Sequence, residues 1–194
     1  MSQKQISDPK ALILIDYTHD FVAADGKLTV GEPGQDIEQM IAEKINTYLT
    51  EAGYVFVVND VHDENDTTHP QHRLFPPHNI SGTVGRLLYG SIETLVRRLE
   101  KEHPEKIIQL DKRRYSAFCG TPLELILRQQ GIEQIELAGV CTDICIFHTA
   151  VDAYNKGFAV IVNEGAVASF NAEAHNTALA HFETVMGFDV VRRG

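Results

Sequence analysis

The sequence contains no apolar run approaching the roughly 18 residues of a membrane-spanning helix, so it offers no candidate span. Its opening stretch, MSQKQISDPK, is polar and lacks the apolar core of a secretion signal. Positive charge is scarce: 17 Lys and Arg stand against 27 Asp and Glu, giving a net charge of −10. A general phosphate binder needs a basic face, which argues against nucleic acid as a partner, and the local cluster Lys112-Arg113-Arg114 does not reverse that balance. Cysteine is scarce too, three in 194 residues. Without a secretion signal these are expected to be free thiols in a reducing cytoplasm rather than disulfide partners. Cys141 and Cys145 do not have the Cys-x-x-Cys spacing, which disfavours a redox pair. No internal repeat and no linker composition is visible. The expectation is a flexible arm over residues 1–9, ending in Asp8-Pro9, followed by a single domain over 10–194. A hydrophobic content of 43% in a chain of this length is enough for one sizeable core.

Short apolar runs alternate with helical patterns along the whole chain. Ala11–Ile15, Tyr54–Val58, Lys106–Leu110, Ile135–Val140 and Phe158–Val162 read as strands buried on both faces. Phe188–Val191 reads as a short sixth strand. Between them, Ile37, Met40, Ile41, Ile45, Tyr48 and Leu49 fall on one helical face, with Asp36 as the cap and Gly53 as the stop. Ile92, Leu95, Val96 and Leu99 mark a second helix from Ser91. Thr121-Pro122-Leu123-Glu124 has the pattern of a capping box with proline at the first helical position, and that helix should end at Gly131. Two more helices are expected, over about 142–156 and 172–186. Gly165 and Ser169 are read as part of the loop after strand five. Such alternation predicts an α/β fold: a three-layer, doubly wound sandwich with a mainly parallel six-stranded sheet. Ligands then sit beyond the carboxyl ends of the strands.

Those ends carry chemistry. Strand one ends in Asp16, strand two in Asp60 and His62, strand three in Lys112, and strand four turns through Cys141-Thr142-Asp143 to Cys145. A cysteine in the first turn of a helix meets unpaired N–H groups and the positive end of the helix dipole, which favour a thiolate. A single cysteine can equally be a small buried hydrophobe, and a polar residue at a strand end is unremarkable by itself. Together, a thiol, a carboxylate and an ammonium on one rim fit acyl transfer. Cys145 would attack a carbonyl, Asp16 would move protons, Lys112 would favour the anions, and N–H groups near Cys141 and Cys145 would receive the oxyanion. His148, one turn along the same helix, is a competing base but is expected to pack beneath the site. The stretch 60–90 is rich in His, Asp, Asn, Pro and Gly without periodicity, and a long loop of this kind is usually functional. Asp60-x-His62 with His69, His72 and His78 supplies more than enough donors for a transition metal, although a histidine-rich loop can also be merely solvated.

The motifs LILIDYTHDF (12–21), NDVHDENDTTHP (59–70), LFPPHNISGT (74–83), LDKRRYSAF (110–118) and GVCTDICIFHTAVDAY (139–154) resemble those of nicotinamidases in the isochorismatase-like cysteine hydrolase superfamily. The resemblance covers residues 11 to about 191. It implies a catalytic set of Asp16, Lys112 and Cys145, an oxyanion hole from the N–H groups of Cys141 and Cys145, and a cis Val140–Cys141 peptide. It implies a divalent metal, Zn²⁺ first with Mn²⁺ or Fe²⁺ as alternatives, on Asp60, His62 and His78. Some relatives add a Glu directly after the His-Pro pair, where this chain has Gln71; Gln71, His72 or water would then complete the shell. Phe21, Phe75 and Tyr115 would wall the substrate. The implied reaction converts nicotinamide and water to nicotinate and ammonia through a Cys145 thioester, within pyridine nucleotide salvage. A homo-oligomer is expected on the same ground. The alternatives are a hydrolase of another small amide, with a ureido or carbamoyl substrate, and a non-catalytic binding member of the fold.

Overall fold

A computed structural model describes residues 9–192. The expected arm at 1–9 lies outside the described residues except for Pro9. Strand β1 (Lys10–Ile15) is the centre of the sheet, and Ala11 to Ile15 have no exposed surface. Two single-turn helices, α1 (His19–Val22) and α2 (Glu32–Gln35), follow in the long connection to helix α3 (Glu38–Thr50). Strand β2 (Tyr54–Asp60) leads into the loop region, which contains 3₁₀ turns at Pro70–Arg73 and Val84–Arg86. Helix α4 (Gly90–Glu102), strand β3 (Ile107–Lys112), helix α5 (Leu123–Gln129) and strand β4 (Gln134–Val140) come next. A wide π turn (Thr142–Ile146) runs directly into helix α6 (Phe147–Asn155). Strand β5 (Ala159–Ala168), helix α7 (Ala172–Thr184) and strand β6 (Asp189–Val191) complete the chain.

All neighbouring strands pair in parallel, in the order β3-β2-β1-β4-β5-β6. The chain winds outward from β1 to β3, returns, and winds the other way from β4 to β6. Alternate side chains of the central strands point to opposite faces. Leu12, Leu14, Val55 and Val57 pack against Ile41 and Ile45 of α3 and Ile92 and Val96 of α4. Ile13, Ile15, Phe56 and Leu137 pack against Leu127 of α5, Ala150 of α6 and Phe182 of α7. Parallel strands covered by helices on both faces account for the unbroken apolar runs of the sequence.

Several local expectations are corrected. Asp36 does not cap α3; it closes α2, and Ile37 stands at the α3 N-cap without a side-chain cap. Proline near the first position of α2 turns the expected breaker segment into a helical turn. The capping box at α5 does not close. Thr121 Oγ1 accepts from Leu123 N at 3.3 Å, and Glu124 reaches Lys156 Nζ instead, at 2.6 Å. Strand β5 runs on to Ala168, so Gly165 lies within it, in a bulge where the pairing jumps from Leu137–Val162 to Gly139–Val167.

The seam between β1 and β4 is where the strand order reverses, and it is unusually tight. Gly139 lies opposite Ile15 with φ of +111°, and a Cβ there would come within 2.0 Å of the Ile15 carbonyl oxygen. Only glycine tolerates both that conformation and that approach. Gly139→Ala is therefore expected to destabilise the protein by more than about 3 kcal/mol, read as a large drop in thermal unfolding midpoint. An unchanged midpoint would contradict the close seam.

Candidate active site

The reversal between β1 and β4 opens a crevice beyond their carboxyl ends. Asp16 occupies the end of β1, fully buried and with φ of +55°. A non-glycine residue in the left-handed region is strained, and such strain concentrates at functional positions. Asp16 N donates to Val58 O at 3.2 Å, and Asp16 Oδ1 accepts Asp60 N at 2.6 Å. Its other oxygen lies 2.7 Å from Lys112 Nζ.

Lys112 reaches this point because β3 lies beside β2, with Asp60 and Lys112 as cross-strand neighbours. Its ammonium donates to Arg114 O at 3.1 Å, lies 3.7 Å from Cys145 Sγ, and lies 3.7 Å from Asp60 Oδ1. Burial alone would depress its pKa, but Asp16, Cys145 and Asp60 outweigh burial and hold it above its usual value. The cation therefore persists at neutral pH. Asp16 is shifted upward, because complete burial outweighs the attraction of Lys112.

Cys145 lies in the π turn that follows β4, 7% exposed, with Lys112 Nζ 3.7 Å from its sulfur. Ile144 N and Ile146 N both donate to Cys141 O, each at 3.1 Å, which pins the turn. The Val140–Cys141 peptide is cis. Burial pushes the Cys145 thiol well up, against the pull of Lys112, and Asp16 adds to the rise. The expectation of a resting thiolate is thereby corrected: the thiol holds its proton beside a carboxylate able to take it. Burial likewise pushes Cys141 up to about 12, leaving it a neutral thiol.

The second centre forms from β2 and the loop after it. Asp60, His62 and His78 bring one ligand atom each to within 4.8 Å of one another. His62 Nε2 lies 2.8 Å from Asp60 Oδ2, and His78 Nε2 lies 4.0 Å from the same oxygen. His78 Nδ1 lies 2.8 Å from Pro76 O, an acceptor only, so Nδ1 carries the proton and Nε2 presents its lone pair. Burial lowers the His78 pKa and keeps the ring neutral. Its Nε2 lies 3.0 Å from the Gln71 side-chain amide, which brings Gln71 to the edge of the cluster. Asp60 Oδ1 is buried without a hydrogen-bond partner, and Asp60 stays ionised because Lys112 and His62 outweigh its burial. Two imidazoles, a carboxylate and an amide oxygen fit a divalent transition metal.

Gln71 is thus part of the cluster, whereas two other donors in the loop are not. His69 uses both ring nitrogens, one 2.8 Å from Arg113 O and one accepting Gln71 N at 3.2 Å. His72 is exposed in the Pro70–Arg73 turn. His148 does not pack beneath the site: it is exposed, Nδ1 lies 2.7 Å from Ile144 O, and its ring leans on Tyr115.

Both centres open into one cavity of about 430 Å³. Cys141 and Cys145 lie on its wall, as do Asp60, Gln71 and His78. Phe21, Phe75 and Tyr115 also line it, with Phe21 5.4 Å from the His78 ring. Leu28, Val140, Ile144 and Phe170 complete the apolar lining. Leu28 and Phe170 lie in connections where apolar residues carry no periodicity, so the sequence offers no signal for them as cavity residues.

The chain matches the isochorismatase domain family over residues 10–191. It is 55% identical over 181 residues to a Bacillus subtilis protein described as an uncharacterised isochorismatase family protein, PncA, spanning 93% of this chain and 98% of that one. Its structure resembles the nicotinamidase/pyrazinamidase PncA from Bacillus subtilis, with a TM-score of 0.89 and 49% identity, covering 94% of this chain and 99% of the other. It also resembles a pyrazinamidase of Pyrococcus horikoshii in complex with zinc, with a TM-score of 0.81 and 27% identity, covering 95% and 99% of the two chains. Among the described residues, no helix is long and apolar enough to cross a membrane.

Removing the buried cation alone leaves Asp16 and Asp60 facing each other without compensation. Lys112→Met is expected to cost about 3–5 kcal/mol of unfolding free energy, measured by chemical denaturation at neutral pH. A loss below about 1 kcal/mol, the range of an exposed ion pair, would contradict the buried cluster.

Proposed function

This chain belongs to the isochorismatase family, and on that premise we propose that it hydrolyses nicotinamide to nicotinate and ammonia. The observation that carries the reading is one largely apolar cavity whose wall holds Cys145, backed by Lys112 and Asp16, together with Asp60 and His78 of the histidine–carboxylate cluster. A flat ring fits between Phe21, Phe75 and Tyr115, with its nitrogen toward His78 and its carboxamide toward Cys145. When bound, a divalent metal on Asp60, His62 and His78, with Gln71 Oε1 alongside, supplies a Lewis-acid anchor for that ring nitrogen. Zn²⁺ is the first choice, given the nitrogen-rich donor set.

The chain's own residues carry the chemistry. Asp16 takes the Cys145 proton as the sulfur attacks the carbonyl carbon. The N–H groups of Cys141 and Cys145 receive the oxyanion. Asp16 then gives its proton to the leaving amide nitrogen, the carbon–nitrogen bond breaks, and ammonia departs, leaving a Cys145 thioester. In the second half Asp16 takes a proton from water. The resulting hydroxide adds to the thioester, nicotinate forms, and the proton returns to sulfur. Lys112 remains protonated throughout and balances whichever of Asp16 and Cys145 is anionic.

Cys145→Ala is expected to abolish ammonia release while nicotinamide binding persists; turnover in that variant would exclude the thioester route. Asp16→Asn should lower kcat by 10²-fold or more, the usual scale of a lost general base, with a smaller change in KM. Normal kcat would exclude Asp16 as the proton carrier. Chelation should weaken nicotinamide binding, and Zn²⁺, Mn²⁺ or Fe²⁺ should restore it, measured by calorimetry on the same sample. Preference for an N-carbamoyl substrate over nicotinamide in an ammonia-release assay would favour the ureido or carbamoyl reading instead.

A further inference from the structure

Asp20 is a buried acid for which the mechanism above has no use. It lies in α1 and is 7% exposed. Three segments converge on it. Asp20 Oδ2 accepts Asn79 N at 2.8 Å, and Oδ1 accepts Lys27 N at 3.4 Å. Gly85 packs against the carboxylate so closely that a Cβ there would come within 2.1 Å of Asp20 Oδ2. Its main chain is engaged as well, with Asp20 O accepting Leu28 N at 3.0 Å.

The Asn79 contact matters most because Asn79 follows His78 directly. Asn79 is fully buried with φ of +45°, a conformation that needs outside support. That support comes from Asp20 on its N–H and from Thr18, whose hydroxyl donates to Asn79 Oδ1 at 2.9 Å. On its other side, Asn79 O accepts His62 N at 3.1 Å. The Asn79 backbone therefore sits between two of the three ligands. Its N–H faces Asp20, its carbonyl faces His62, and the preceding residue is His78.

We propose that Asp20 is a positioning residue of the cation site: by gripping the His78–Asn79 peptide it sets the His78 ring against Asp60 and His62. The proposal rests on the metal reading given above. Residues that support metal ligands in this way commonly change metal affinity strongly when removed. The same carboxylate holds Lys27 beside the Phe21 and Leu28 walls, so one side chain fixes both the cation site and the adjoining cavity wall.

The test is Zn²⁺ affinity of the full chain, by competition with a chromophoric chelator, with thermal unfolding of the metal-free protein alongside. Asp20→Ala should weaken Zn²⁺ binding by about 10–100-fold. Asp20→Asn keeps an acceptor for Asn79 N and should stay near the parent affinity. A role limited to tying down loops would lower the unfolding midpoint and leave the affinity of the folded protein unchanged. A folded Asp20→Ala protein with parental affinity therefore overturns the proposal. Should Asp20→Ala not fold, the near-isosteric Thr18→Val decides. It removes only the hydroxyl on Asn79 and should weaken Zn²⁺ binding in the same direction, whereas unchanged affinity overturns the proposal. Parent protein that binds no Zn²⁺ overturns the metal reading and this inference together.

Discussion

One buried ammonium organises the chemistry. Lys112 Nζ lies 2.7 Å from Asp16, and 3.7 Å from both Asp60 and Cys145. Taking such a group out of water is costly, and only several anionic or polar partners together can offset it. This constraint explains why groups from three strands meet at one point. A carboxylate at the end of β1, another at the end of β2 and a thiol beyond β4 are each poor residents of an apolar interior. Around one cation their charges are partly offset. Asp60 belongs to this set and to the histidine cluster at once, so the thiol and the histidine cluster are parts of one electrostatic unit.

The fold supplies the meeting point. Strand order reverses between β1 and β4, so no helix connection covers the carboxyl ends of that pair. Asp16 and the Cys145 turn flank the opening. Gly139 permits the close approach of the two strands there. The bulge in β5 extends that strand to Ala168, which brings Phe170 to the cavity wall. Helices on both faces then seal the sheet, and the crevice remains the place where side chains from several strands can converge.

Much of this was legible in the residues. Buried parallel strands are written as continuous apolar runs, and β1, β2 and β4 follow that rule closely. The chemistry-bearing residues stand at strand ends, where topology alone predicts a site. Legibility fails where tertiary context decides. Asp36 has the side chain of a cap, but α2 claims it. Glu124 has the spacing of a capping box, but Lys156 is within reach and is charged. The expected thiolate at Cys145 followed from local helix geometry; the rise in its pKa follows from burial, which depends on the whole fold. His69 and His72 have the right chemistry for metal ligands, but their backbone turn directs one to Arg113 O and the other outward. Asp20 and Asn79 gave no signal, because a hydrogen bond between residues so distant in sequence has no local pattern.

The pairing of Asp60 with Lys112 across β2 and β3 makes the site all-or-none. Side chains alternate along a strand, so a slip of one residue would turn Lys112 to the opposite face of the sheet. Small errors of spacing are therefore not available: the ladder is either in step and the ammonium is in place, or it is out of step and the ammonium is absent. A partly assembled sheet contains no weakened version of the site. The peptide hydrogen bonds that hold β2 to β3 in register therefore also set where the ammonium sits.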